Sequence, residues 1–198
     1  MRYIFVVAAV LCIISLKSMG QDLPIDEYGK IDFQEIVKQN GYSKEQLLTN
    51  ARNWVKETYE YNKKSITTDS NSVTATGRFY VYVKGAFSKE IHGTIRYKVY
   101  VSTKDDKYFY QFTDFIFEYY KINRQYKYVP TGKEKPVEEG SFPGWQAAWD
   151  KDKKITYEKI TAEIDGLKGA MFYKAAPPKK DVEKSVEQKP SLKEEFNK

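Results

Sequence analysis

The chain holds a single histidine, His92, and a single cysteine, Cys12, so the chemistry open to it narrows at once. His92 falls in EIHGTIRYKVYVST, where strict alternation puts it with Thr94, Arg96, Lys98 and Tyr100 on one strand face. There it reads as a solvated residue near a strand start. A general base needs a positioned partner, and no nucleophile-elbow sequence supplies the serine of a triad. Asp105 and Asp106 form the turn KDDK, where aspartate belongs for backbone reasons. A calcium site would need more oxygen ligands than that turn offers. Asp26 and Glu27 belong to an extended leader, and neither a phosphate loop nor an HExxH helix occurs. Asp114 is different. If Tyr108, Tyr110 and Phe112 face the core, alternation carries Asp114 to the same side. A carboxylate buried there must accept from a tyrosine hydroxyl or from backbone N–H groups near a helix start.

The strongest constellation is therefore not catalytic. In SVTATGRFYVYVK, Val73, Ala75, Gly77, Phe79, Val81 and Val83 share one face, with Thr74, Thr76, Arg78, Tyr80, Tyr82 and Lys84 on the other. In the next strand Ile91, Ile95, Tyr97, Val99 and Val101 point inward. In KYFYQFTDF, Phe109, Gln111 and Thr113 join the outer set. Arg78, Tyr80, Tyr82, Arg96, Lys98, Tyr100 and Phe109 thus form an aromatic-basic row on an open sheet face. Rings that stack and cations that meet phosphates are what single-stranded nucleic-acid platforms use. The same surface suits a glycan, an added peptide strand or a second copy of the chain. Tyrosine, threonine and basic residues are also ordinary inhabitants of a solvated sheet face.

The elements that must position this row follow from periodicity. KIDFQEIVK alternates as an edge strand, with Ile31, Phe33 and Glu35 on one side. GYSKEQLLTNARNWVKETY is a helix opened by a Ser43–Gln46 capping box. Its apolar stripe is Leu47, Leu48, Ala51, Trp54, Val55 and Tyr59, with Trp54 laid against a sheet. SITTD forms a short strand, and short connections make the following strands an antiparallel meander. Pro, Gly and charge from about Lys121 to Gly144 mark a long surface insertion, into which FEYYKINRQYKY runs with its alternation lost. GWQAAW makes a short helical turn, and Ile155, Ile160, Ile164, Leu167, Ala170 and Met171 outline a second helix. The order is β-α-β-β-β-(β)-α: an α+β domain over 30–174, with two helices on one face of a curved antiparallel sheet.

At the N-terminus, MRYIFVVAAVLCIISLKSMG has the layout of a signal peptide. Arg2 precedes an apolar run, and Ser18 and Gly20 suit cleavage before Gln21. The run is shorter than the roughly 20 apolar residues of a membrane span, so no stable anchor is expected after cleavage. Bulky Leu11 before Cys12, and an apolar run that continues past it, exclude a lipoprotein. Cleavage removes two of the 33 basic residues, leaving a small positive excess over 27 acidic ones, and it removes the only thiol. Disulfides and thiolate metal sites are thereby excluded from the mature chain, and no cofactor or metal is expected. With 17 Tyr, 11 Phe and 3 Trp the chain has the apolar area for one ordinary core. Residues 21–29 read as an extended leader. The Lys/Glu/Pro-rich tail 175–198 reads as disordered.

Taken in order, LPIDEYGKIDFQEIV, SKEQLLTNARNWV, the GTIRYKVYV–KDDKYFYQFTDF hairpin and the closing GLKGAM resemble a known family over roughly 23–172. It is domain of unknown function 4468, a group of exported Gram-negative bacterial proteins with a TBP-like fold. The resemblance implies an antiparallel sheet with two helices on one face and no established catalytic residue; the insertion and the tail depart from it. Export argues against nucleic acid as a partner. The expected role is a non-catalytic envelope protein, periplasmic or extracellular, that binds a protein partner or its own copy through the open face. The alternatives are a glycan- or small-ligand-binding module with the insertion as a flap, and last a hydrolase.

Overall fold

The computed structural model describes residues 23–84 and 89–173. The expected signal segment and the charged tail from Ala175 lie outside the described residues. Strands β3 (Ser72–Lys84), β4 (Lys89–Lys104) and β5 (Lys107–Ile122) form the antiparallel meander, with Asp105 and Asp106 as the two-residue turn between β4 and β5. Strand β1 (Phe33–Lys38) pairs with the first half of β5, from Phe33 opposite Phe112 to Lys38 opposite Lys107. Strand β6 (Tyr128–Pro136) takes the second half of the same flank, from Ile116 opposite Pro136 to Ile122 opposite Tyr128. With β2 (Thr67–Thr68) beside β3, the six-stranded sheet runs β1-β5-β4-β3-β2, and β6 also pairs with β5.

Helix α1 (Lys44–Thr58) opens on the Ser43–Gln46 capping box and buries Leu47, Leu48, Ala51, Trp54 and Val55. Helix α2 (Gln146–Met171) buries Trp149, Asp152, Thr156, Ile160, Ile164, Leu167 and Met171, spaced by threes and fours so that they share one side. The two helices join one core with Val73, Val81, Ile95, Tyr97, Val99 and Phe112, which leaves the other sheet face open. Two glycines admit rings to this core. A Cβ at Gly77 would stand 2.3 Å from the Tyr97 ring, and one at Gly93 2.5 Å from the Phe117 ring.

Four expectations need correction. The segment 121–144 is not an irregular insertion: it carries β6, and Val137 and Phe142 beyond it are buried. Its Pro130 and Pro136 are tolerated because β6 is an edge strand. GWQAAW is not a separate turn but the start of the continuous α2. The other two corrections come from β-bulges, each of which inserts an unpaired residue and shifts the alternation. In β4, Val81 pairs with Gly93 but Tyr82 pairs with Ile91, so His92 is the extra residue. It is buried, not solvated, while Ile91 is only half-buried. In β5, Lys98 pairs with Thr113 and Arg96 with Ile116, which makes room for an extra residue at Asp114, in the left-handed region at φ 55°. Asp114 therefore turns to the open face, and Phe115 and Phe117 take up the core positions after it. Alternation is displaced by one residue through Phe117, and the strand itself continues to Ile122.

Candidate functional site

The open face is organised by rows across β3, β4 and β5. Thr74, Tyr100 and Gln111 form one row, Thr76, Lys98 and Thr113 the next, then Arg78, Arg96 and Ile116, then Tyr80, Thr94 and Glu118. Arg78 and Arg96 are direct cross-strand neighbours, an unfavourable juxtaposition of like charges. Each is answered separately. Arg96 donates to both carboxylate oxygens of Glu134 on β6, at 3.0 and 3.3 Å. The Arg78 guanidinium lies 5.8 Å from the ring centroid of Tyr61, in a 3-10 turn over Glu60–Ser65. Lys98 pairs with the displaced Asp114 at 2.8 Å. Acids from β5 and β6 thus offset Arg96 and Lys98 within the face.

The aromatic members do not gather. Tyr80 meets Tyr120 edge-on at 5.9 Å, and between their strands Thr94 is buried with an unpartnered hydroxyl. Tyr100 contacts Phe109 at 6.2 Å, and Phe109 pairs across from Ile36, which is 66% exposed on β1. Tyr100 and Lys98 line a shallow trough of about 430 Å³ with Thr74, Thr76, Gln111 and Thr113. Phe109 lies in a separate hollow of about 210 Å³ with Ile36, Lys104 and Lys107. Tyr82 lies in a third, beside the start of α2. The row exists, but as three neighbouring surfaces, not one platform.

The carboxylates of the connections have structural duties. Asp105 accepts from the Lys44 N–H at 2.8 Å, at the start of α1, and Asp106 from the Gly41 N–H at 2.7 Å. Asp26 accepts from the backbone of Tyr28 and Lys30. Glu35 receives Lys168 at 2.7 Å and the Tyr110 hydroxyl at 2.8 Å, which together hold its pKa below the usual carboxylate value.

Two polar clusters escaped sequence reasoning. His92 Nδ1 stands 2.8 Å from Asp152 Oδ2, with both residues buried. The ring is enclosed by Phe117 at 4.9 Å, Trp145 at 5.4 Å and Phe142 at 6.1 Å. The pair ties β4 to α2. Asp152 stood in step with Trp149, Thr156 and Ile160, and that periodicity was the available signal. The second cluster is Glu163, which accepts from the hydroxyls of Tyr59 and Tyr97 at 2.7 Å each. Burial pushes both phenols well above their ordinary pKa, helped by Tyr97 and Glu163 at Tyr59 and by Glu163 at Tyr97. Burial also pushes Tyr108 up to about 12. Among the described residues no group of three or more His, Cys, Asp and Glu side chains could hold a metal, and no helix is long and apolar enough to cross a membrane.

An open antiparallel sheet backed on one side by two helices is the TBP-like architecture. The fold is similar to a crystal structure of a TBP-like protein from Parabacteroides distasonis, with a TM-score of 0.57, 17% identity, and coverage of 75% of this chain and 96% of that one. It is also similar to a DUF4468 family protein from Bacteroides ovatus, with a TM-score of 0.52, 15% identity, and coverage of 81% and 95%. Residues 33–118 match the family model described as "Domain of unknown function (DUF4468) with TBP-like fold". No curated protein matches the chain. The matched span holds β1 to most of β5. Glu134, Asp152 and Glu163 lie beyond it.

Proposed function

We propose that the protein is an exported, non-catalytic envelope module that meets a protein partner, or a second copy of itself, through the open sheet face. The observation that carries this reading is that Tyr80 and Tyr82 are 45% and 40% exposed on a face where Arg96 and Lys98 are already paired with carboxylates. Phosphate binding draws on unopposed cations, and Arg96 and Lys98 already hold carboxylates, so nucleic acid fits poorly. Tyrosines suit protein recognition: they bring large contact area, few rotatable bonds and a hydroxyl. Photo-cross-linking in intact cells tests the reading, with the reactive side chain at Tyr100 on the open face or at Lys159 on the exposed side of α2. A discrete protein adduct from position 100 alone is the expected result; equal adducts from both, or none, sink it.

A second reading is favoured by the trough around Thr74, Thr76, Gln111 and Tyr100, where hydroxyls and an amide flank a ring as a sugar requires. An oligosaccharide that binds only the folded state raises the melting temperature. A panel that leaves it unmoved removes this alternative.

A further inference from the structure

The outer edge of β3 is closed along most of its length and open at one end. In this strand the odd-numbered residues bond to β4, so the even-numbered ones present N–H and C=O outward. Thr74 meets β2. Thr76 is capped by the side chains of Ser65 and Asn62, its N–H donating to Ser65 Oγ at 3.1 Å and its carbonyl accepting from Asn62 Nδ2 at 3.0 Å. The Arg78 N–H donates to the Tyr61 hydroxyl at 2.9 Å, and its carbonyl accepts from the same hydroxyl at 3.2 Å. The next outward residues are Tyr80 and Tyr82, since the bulge near them inserts its residue into β4 and leaves the period of β3 intact. Among the described residues no strand or side chain pairs with their outward groups.

Beside this open end lies a groove of about 390 Å³, formed by Tyr82, Val83 and Lys84 on one side and by Trp145, Ala148 and Lys151 of α2 and its lead-in on the other. No residue of β4 lines it, so it follows the outer side of β3 and does not cut into the sheet. A free strand edge facing a helix across an apolar-floored groove is the geometry in which an extended peptide adds as a further strand. Among the described residues two lysines and no carboxylate line it.

Resting on the open-face reading above, we infer that β3 from Tyr80 to Lys84 takes an extended acidic segment of another protein by strand addition. The segment's main chain bonds to the outward groups of Tyr80 and Tyr82, one side chain enters the groove against Trp145 and Ala148, and its acids answer Lys84 and Lys151. A second copy is the poorer occupant. Symmetric antiparallel pairing about Val81 would set Arg78 against Lys84 of the other copy, and directly opposed like charges are destabilising.

The probe is a fluorescein-labelled peptide of alternating glutamate and valine, read by anisotropy against the mature full chain, with a lysine–valine peptide as its counterpart. The glutamate peptide binds saturably and the lysine peptide does not. Tyr82→Pro and Tyr82→Ala both lose the ring, but only the first loses the outward N–H, which an edge strand tolerates. Tyr82→Pro weakens binding about tenfold or more relative to Tyr82→Ala, whereas Tyr82→Phe stays within about threefold of the unaltered chain. Should Tyr82→Pro fail to fold, Lys84→Glu with Lys151→Glu must reverse the preference between the peptides. Absence of saturable binding, equal binding of both peptides, or binding indifferent to both Tyr82→Pro and the charge reversal overturns the inference. Loss of binding in Tyr100→Ser with none in Tyr82→Pro overturns it as well, while leaving the open-face reading standing.

Discussion

The two faces of β4 solve the same problem of polar groups in a sheet in opposite ways. On the open face, Arg96 and Lys98 meet Glu134 and Asp114 with side chains 38% to 69% exposed. On the helix face, Tyr97 and His92 reach Glu163 and Asp152 from positions 1% and 9% exposed. Water can replace a lost partner on the first face but not on the second. The outer pairs therefore set the charge a visitor meets, and the inner ones fix how α2 sits on the sheet. Removing single partners from each side puts that contrast to the test.

Gly77→Val should produce the largest effect. The new side chain falls on the Tyr97 ring, and overpacking on this scale is expected to lower stability by about 3 kcal/mol or more in urea denaturation. Glu163→Leu strands two buried hydroxyls, with an expected loss of about 2–4 kcal/mol. Adding Tyr59→Phe and Tyr97→Phe to it should recover most of that loss. If the triple variant is no better than the single one, the carboxylate is not what satisfies the phenols. The same phenols predict an alkaline weakness. Their folded pKa values lie above the ordinary value of about 10, so above that pH the unfolded chain sheds protons that the folded chain keeps. Their stabilisation is complete below about pH 10 and is lost as pH rises, and Tyr59→Phe with Tyr97→Phe should flatten that decline. Arg96→Ala belongs at the small end, with a change under about 1 kcal/mol, because an exposed ion pair is screened by solvent. A loss as large as that of Glu163→Leu would erase the distinction between the faces.

Much of this was legible because periods announce themselves. The capping box and the Leu47–Ala51–Trp54 stripe placed α1, and the alternation of SVTATGRFYVYVK placed β3 with its tyrosines outward. What alternation cannot show is its own interruption. His92 and Asp114 were each assigned to the wrong face because one inserted residue exchanges inside for outside. For Asp114 a trace existed: inward aromatics fall on even numbers through Phe112 and on odd ones from Phe115. For His92 there was none, since only Ile91 precedes it in the strand's apolar set. Strand β6 was hidden by Pro130, Gly132 and Pro136, which an edge strand tolerates and a central one does not. The charged run DKDKK masked Asp152 as surface although its phase belonged to the core. The open-face ion pairs depend on the register of β6 and on a bulge, so no local pattern could supply them.

The flank of β5 shared end to end by β1 and β6 has a consequence for the order of assembly. Asp32 and Gln111, joined where β1 meets β5, stand 79 residues apart in the chain. The β4–β5 hairpin closes over a two-residue turn, whereas β1 has no place to go until β5 is formed, and distant pairings are slow because the intervening loop must first be closed. The first strand to be synthesised is thus expected to dock among the last. While it waits, one half of β5 presents an unsatisfied ladder that the β1 of any neighbouring molecule would fit equally well. At high concentration the same seam offers a route to strand-exchanged dimers, which would differ from a peptide-bound complex in leaving the β3 edge free.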